Sequence, residues 1–284
     1  MTDRSPGLGY AAAAGLLHRS FGLEMTSARV MAVLAAAALV SMGASAAVAG
    51  GDPEPSRCAV PAALLQSADP LPRVAAKLRR GENVTIVAIG SSSTFGTGAS
   101  SSRATYPSRL QGDLHRMFPN ARVAVLNRGV PGDTASSMLR RFRKDAIDPH
   151  PDLIIWQTGT NSALGGGDIE GFARDVRAGI ALAREAGIEI MLMGPQYAPR
   201  FESVSNRMSF VEKLKAIAAA EHVPMFPRYE VMKHWVKSGQ FSVKTMINPD
   251  GLHLTDLSYD CLGTLVAEMV AHGEVATAAA RAHR

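Results

Sequence analysis

The strongest constraint on folding is a series of short, uninterrupted apolar runs separated by stretches long enough for helices. Residues 84–89 read VTIVAI and stop at a glycine. A β-branched run without polar alternation suits a strand covered on both faces. Residues 123–126, 153–156 and 188–193 have the same character, and 223–226 is a weaker fifth. Helical patterns lie at 64–80, 106–117, 134–145, 169–186 and 205–220, and 257–271 closes the series. Strands alternating with helices build βαβ units, hence a parallel sheet with right-handed crossovers. The expected architecture is α/β, a three-layer α/β/α sandwich. Residues 228–249 show no clear strand and are expected to form a loop and a short helix.

The N-terminus has a different character. Arg29 precedes an apolar run at 30–40, and small residues follow, ending in Ala47-Val48-Ala49. A charged start, a short apolar core and an A-x-A site read as a secretory signal peptide over 1–49, with Met25 as an alternative start. The apolar run is too short and alanine-rich for a permanent span. The expectation is an exported chain, periplasmic or secreted, with no stable membrane span after cleavage. Residues 50–83 then form an N-terminal segment with the first helix, and 84–284 the functional domain. The two cysteines, Cys58 and Cys261, read either as one disulfide of an exported chain or as two buried thiols. Neither sits in a glycine-rich turn, which argues against a catalytic cysteine.

Charge excludes one class of partner. With 30 Lys and Arg against 25 Asp and Glu the net charge is only +5, and the one dense basic run is Arg140, Arg141, Arg143 and Lys144. Nucleic-acid binding would need a broader basic face interleaved with aromatics, which are 6% here.

In open parallel sheets ligands bind at the carboxyl ends of the strands, and four polar, glycine-rich segments fall there. Residues 90–98 read GSSSTFGTG. Ser92, just past a strand on a glycine-flanked turn, suits an exposed nucleophile whose own N–H faces a developing oxyanion. An ordinary Ser/Gly turn reads as well, whereas a phosphate loop lacks its Lys and no G-x-G-x-x-G is present. Residues 127–134, NRGVPGDT, bring Gly132, whose N–H could face the cleft, or else a turn and helix cap. Residues 157–162, QTGTNS, bring Asn161, an amide donor for an oxyanion or a turn residue. Residues 248–256, NPDGLHLTD, place Asp250 three before His253. That spacing lets the carboxylate hold one imidazole nitrogen while the other faces a serine, so that His acts as base and then acid. With no H-E-x-x-H and no Cys/His cluster, neither metal nor cofactor is expected.

In this order the four blocks resemble the SGNH/GDSL hydrolase family, marked by a Gly-Asp-Ser block, a glycine block, a Gly-x-Asn block and a late Asp-x-x-His. The resemblance runs from about Val84 to the final helix. It implies Ser92 as nucleophile, His253 as base and Asp250 as its orienting partner, with the N–H groups of Ser92 and Gly132 and the Asn161 side chain as oxyanion hole. It also implies a flavodoxin-like, five-stranded parallel sheet in the order 2-1-3-4-5. Two positions depart: Ser91 stands where the family has Asp, and Ser162 where Asp often follows the Asn. Each keeps a small hydrogen-bonding side chain and loses a charge. The expected activity is hydrolysis of carboxylic esters through an acyl-enzyme. Export and a polar rim favour short acyl groups, acetyl above all, on small-molecule or glycan substrates. The competing readings are a lysophospholipase or thioesterase with a longer acyl pocket, and an inactive carbohydrate-binding protein of the same fold. Gln196, Tyr197 and Trp235 are the candidate substrate-lining residues.

Overall fold

The computed structural model describes residues 57–272; the expected signal segment and the stretch after it, residues 1–56, lie outside them. Five parallel strands form the sheet: β1 (Val84–Gly90), β2 (Val123–Gly129), β3 (Leu153–Gln157), β4 (Glu189–Met193) and β5 (Met225–Phe226), in the order β2-β1-β3-β4-β5. β1, β3 and β4 are central, and their continuous apolar runs are covered on both faces. β2 is an edge strand and half open, and the Gln111 side chain accepts the Val125 N–H at 2.8 Å. β2 runs past its apolar run to Gly129, because pairing with β1 continues as far as Gly90. β5 is reduced to two residues after Pro224, which has no N–H for a ladder.

Helices Pro72–Arg79, Tyr106–Met117 and Asp256–Ala271 pack together on one face, and Ala135–Phe142, Ile169–Glu185 and Arg207–Ala220 on the other. Cys58 and Cys261 are joined by a disulfide, which ties the first described residues to the middle of the last helix.

Three expected elements differ. The helix at 64–80 is two, Ala62–Leu65 and Pro72–Arg79. Pro72 opens the second, and the residue before a proline is pushed out of helical geometry. The helix at 134–145 ends at Phe142 and continues as one π turn, Arg143–Ile147. Residues 228–249, expected as a loop and a short helix, hold two helices, Arg228–Lys237 and Val243–Met246; Tyr229, Val231, Met232 and Trp235 fall on one buried side of the first.

For the site, the register decides most. Gly90 lies opposite Gly129, and Ile89 opposite Trp156. The C-terminal ends of β1, β2 and β3 are therefore level, and the chain changes direction about β1, the switch point at which such sheets open a cleft.

Candidate active site

From Gly90 the chain turns directly into a four-residue helix, Ser92–Phe95. Its bonds run from Thr94 N and Phe95 N to the Ser91 oxygen and from Gly96 N to the Ser92 oxygen. The Ser92 N–H stands ahead of them and makes no hydrogen bond among the described residues. The side chain is 7% exposed, and among the described residues no hydrogen bond joins its Oγ to His253.

Ser91, where the resemblance would put a carboxylate, is buried. Its N–H and Oγ donate to Gln157 Oε1 at 2.9 and 3.1 Å, and Thr94 Oγ1 donates to the same oxygen at 3.2 Å. One neutral amide oxygen at the end of β3 thus fixes the serine turn. Its partners must be donors, which is why a hydroxyl fits at position 91.

The loop after β2 brings Gly132 alongside. Its φ of +86° lies where only glycine is comfortable, and a Cβ there would meet nothing within 4 Å. The Gly132 N–H makes no hydrogen bond among the described residues. Asn161, in the helix Thr160–Leu164 that follows β3, donates through Nδ2 to the Asp133 carbonyl at 3.0 Å. An amide has two N–H groups, so a second is left for a ligand. Ser162, the other departing position, accepts the Ala135 N–H at 3.3 Å and supports the start of the helix Ala135–Phe142.

Arg141 binds these pieces together. Its Nε donates to Asp133 at 2.7 Å, one terminal nitrogen to Asp145 at 2.9 Å and the other to the Gly90 carbonyl at 3.0 Å. The same carbonyl accepts the Val130 N–H at 3.0 Å.

Asp250 and His253 share a tight turn closed by the Ile247–Leu254 bridge and by Asn248 N to the His253 oxygen at 2.8 Å. Asp250 Oδ1 accepts the N–H groups of Leu252 and His253 at 2.9 and 3.0 Å, and Oδ2 lies 2.5 Å from His253 Nδ1. Burial works against ionising Asp250, but the two backbone donors and the imidazole outweigh it and hold the carboxyl below its usual range. The carboxylate has no proton to give, so Nδ1 carries the hydrogen and Nε2 is the free acceptor.

This turn is pinned to the loop that leaves Ser92. Tyr259 donates to the Thr97 carbonyl at 2.8 Å, Ser100 N to Asp256 at 2.8 Å, and Asn248 Nδ2 to the Gly98 carbonyl at 3.3 Å. A Cβ on Gly98 would fall 2.4 Å from Asn248 Nδ2 and 3.2 Å from His253 Cβ, so the approach depends on glycine.

Of the expected lining residues, Gln196 and Trp235 are both buried. Gln196 Oε1 accepts from Thr160 at 2.8 Å and from Arg228 at 2.7 Å, while Nε2 reaches the Leu252 carbonyl at 3.4 Å. It braces the His253 turn instead of lining a pocket. Trp235 is fully covered, packs edge-on against Phe241 and donates to the Cys58 carbonyl at 3.2 Å, so it belongs to the disulfide region and not to the cleft. Tyr197 is half-buried, its ring edge-on to Tyr229 at 5.6 Å.

Three residues escaped the sequence reading. Gln157 counted only as part of a polar strand end, and Arg141 only as part of a basic run, although it lies about two helical turns after Asp133. Arg228 is fully buried, donates to the Gly194 carbonyl at 2.8 Å, and is pulled down to about 10 by burial. One of its terminal nitrogens has no partner among the described residues. Nothing in the sequence marks it. Among the described residues no three His, Cys, Asp or Glu side chains are placed to hold a metal ion, and no helix is long and apolar enough to cross a membrane.

The sequence profile of the non-GDSL lipase-like family matches residues 57–275. An arylesterase of Vibrio mimicus is 24% identical over 152 residues, covering 53% of this chain and 72% of its own. Among solved structures, a two-domain esterase active on acetylated mannans superposes with a TM-score of 0.58 at 19% identity. That match covers 72% of this chain and 53% of the other, so the chain spans about half the length of that enzyme. An acetyl xylan esterase superposes with a TM-score of 0.54 at 17% identity, covering 66% of this chain and 97% of the other. At such identities the likeness to solved structures is one of fold.

Proposed function

The chain belongs to the non-GDSL lipase-like family, a group of SGNH-type ester hydrolases, and from that premise we propose that it is an exported serine esterase removing acetyl groups from carbohydrate. One observation carries the chemistry: an imidazole held 2.5 Å from a carboxylate, on a turn pinned to the loop of an otherwise unoccupied serine.

In this reading Ser92 Oγ attacks the ester carbonyl and gives its proton to His253 Nε2. Asp250 keeps the ring in the tautomer that accepts it and stabilises the imidazolium. The oxyanion takes hydrogen bonds from the Ser92 and Gly132 N–H groups and from the remaining Asn161 N–H. These are the uncommitted donors at the level strand ends. His253 then protonates the departing alcohol, leaving Ser92 acetylated. Water, deprotonated by His253, attacks the acyl-enzyme, and His253 returns that proton to Ser92 Oγ as the acyl bond breaks and acetate leaves.

The acetyl and carbohydrate assignment is supported by esterases of the same fold that act on acetylated mannans or xylan. Export is supported by the signal-like N-terminus and by the disulfide. The test is hydrolysis of p-nitrophenyl esters from acetate to palmitate, with acetate release from acetylated polysaccharides, by wild type and Ser92→Ala. Short-chain preference and acetate release are expected. Preference for long chains would contradict the substrate class, and full activity of Ser92→Ala would contradict the mechanism.

A further inference from the structure

We propose that Phe95 and Val130 form an apolar platform beside Ser92, on which a pyranose ring of the acetylated glycan lies during ester cleavage; this rests on the esterase reading above. Among the described residues three large apolar side chains stand in solvent: Phe95, 55% exposed, Val130, 42%, and Met117, 41%. Apolar surface left exposed in a group is a mark of a binding site. Two of these three flank the chemistry.

Phe95 ends the helical turn that Ser92 begins, and residues three apart lie on the same side of a helix. Val130 stands two residues before Gly132. The two segments touch: a Cβ on Gly129, the residue before Val130, would fall 2.0 Å from Phe95 N. Asn127 Nδ2 fixes the contact by donating to the Thr94 carbonyl at 2.7 Å. The neighbouring space is open, since a Cβ on Gly132 would meet nothing within 4 Å.

The exposure of the platform selects its ligand. An apolar acyl chain gains most from an enclosed slot that removes it from water. A sugar ring has one face of C–H groups and a rim of hydroxyls, so it can cover an aromatic side chain while its hydroxyls stay hydrated. The negative face of the aromatic ring attracts those C–H groups. The alcohol side of a polysaccharide ester, too large to be enclosed, fits such a surface.

The test compares kcat/KM for acetate release from an acetylated manno-oligosaccharide with that for ethyl acetate, in wild type, Phe95→Ala, Phe95→Trp and Val130→Ser. Met117→Ala is the control for an exposed apolar residue away from the site. The oligosaccharide-to-ethyl-acetate ratio should fall roughly fivefold to tenfold in Phe95→Ala, be restored in Phe95→Trp and stay at the wild-type value in Met117→Ala. An unchanged ratio in Phe95→Ala would overturn the platform. So would a changed preference for acyl length, which would put Phe95 on the acyl side. A wild-type enzyme that cleaves ethyl acetate but releases nothing from the oligosaccharide would instead refute the carbohydrate reading itself.

Discussion

The Arg141 guanidinium donates at 3.0 Å to the carbonyl oxygen of Gly90, two residues before Ser92. The same side chain holds the Asp133 carboxylate, and the Asp133 carbonyl holds the Asn161 amide. One side chain therefore connects the nucleophile strand, the Gly132 loop and the amide donor. Replacing it by Met should lower kcat by about 10–10², since a displacement of about 1 Å in a reacting constellation can cost as much as 10², with a smaller change in KM. Arg141→Lys keeps the charge but not the fork, and should fall between. Steady-state kinetics on p-nitrophenyl acetate check this; a wild-type kcat in Arg141→Met would exclude the bracing role.

The oxyanion donors make a sharper claim. Asn161→Ala should cost about 10²–10³ in kcat. Gly132→Ala should also slow turnover, because its φ of +86° suits no side chain and the loop carrying its N–H would have to shift. Both losses should appear mainly in kcat, as expected for a contact made only in the transition state. A rise in KM alone would place these groups in ground-state binding.

Asp250 is held below the usual carboxyl range against the opposing effect of its burial. As pH falls the unfolded chain takes up that proton first, so the stabilisation is complete above about 3.8 and is lost as pH drops through the folded value. Calorimetry should show Tm declining with acid in that window, and Asp250→Asn should decline less. The same variant should lose about 10⁴ in kcat at neutral pH, because Asn favours the wrong imidazole tautomer. An unaltered acid dependence would deny the depressed carboxyl.

The disulfide closes a loop with a sequence separation of 203 residues. In the chain-entropy view such a loop stabilises by about 5 kcal/mol. Replacing both Cys58 and Cys261 by Ser should lower Tm clearly, and a reductant should bring the wild type toward the double variant. No shift in either experiment would mean that the native state does not depend on the bond.

How much of this was legible beforehand varies with the kind of signal. The sheet was, because runs such as 84–89 are buried on both faces and read as strands without knowledge of their partners. The blocks bearing Ser92, Gly132, Asn161 and Asp250 with His253 were also visible, since glycine-rich turns at strand ends are local. What joins them was not. Gln157, Arg141 and Arg228 act across 66, 51 and 34 residues respectively, and no local pattern specifies such a partner. Trp235 misled for the same reason: its indole donates to Cys58, 177 residues away, so a tryptophan near the cleft in sequence belongs to the core in space.

The most direct test of the account is the hydrolysis of p-nitrophenyl acetate by Ser92→Ala, with the acetylated peptide of rapidly quenched wild type identified by mass spectrometry. The rate should be lower by at least about 10³, and an acetyl group should sit on the peptide containing Ser92. Hydrolysis at the wild-type rate by Ser92→Ala, or acetylation elsewhere, would contradict it.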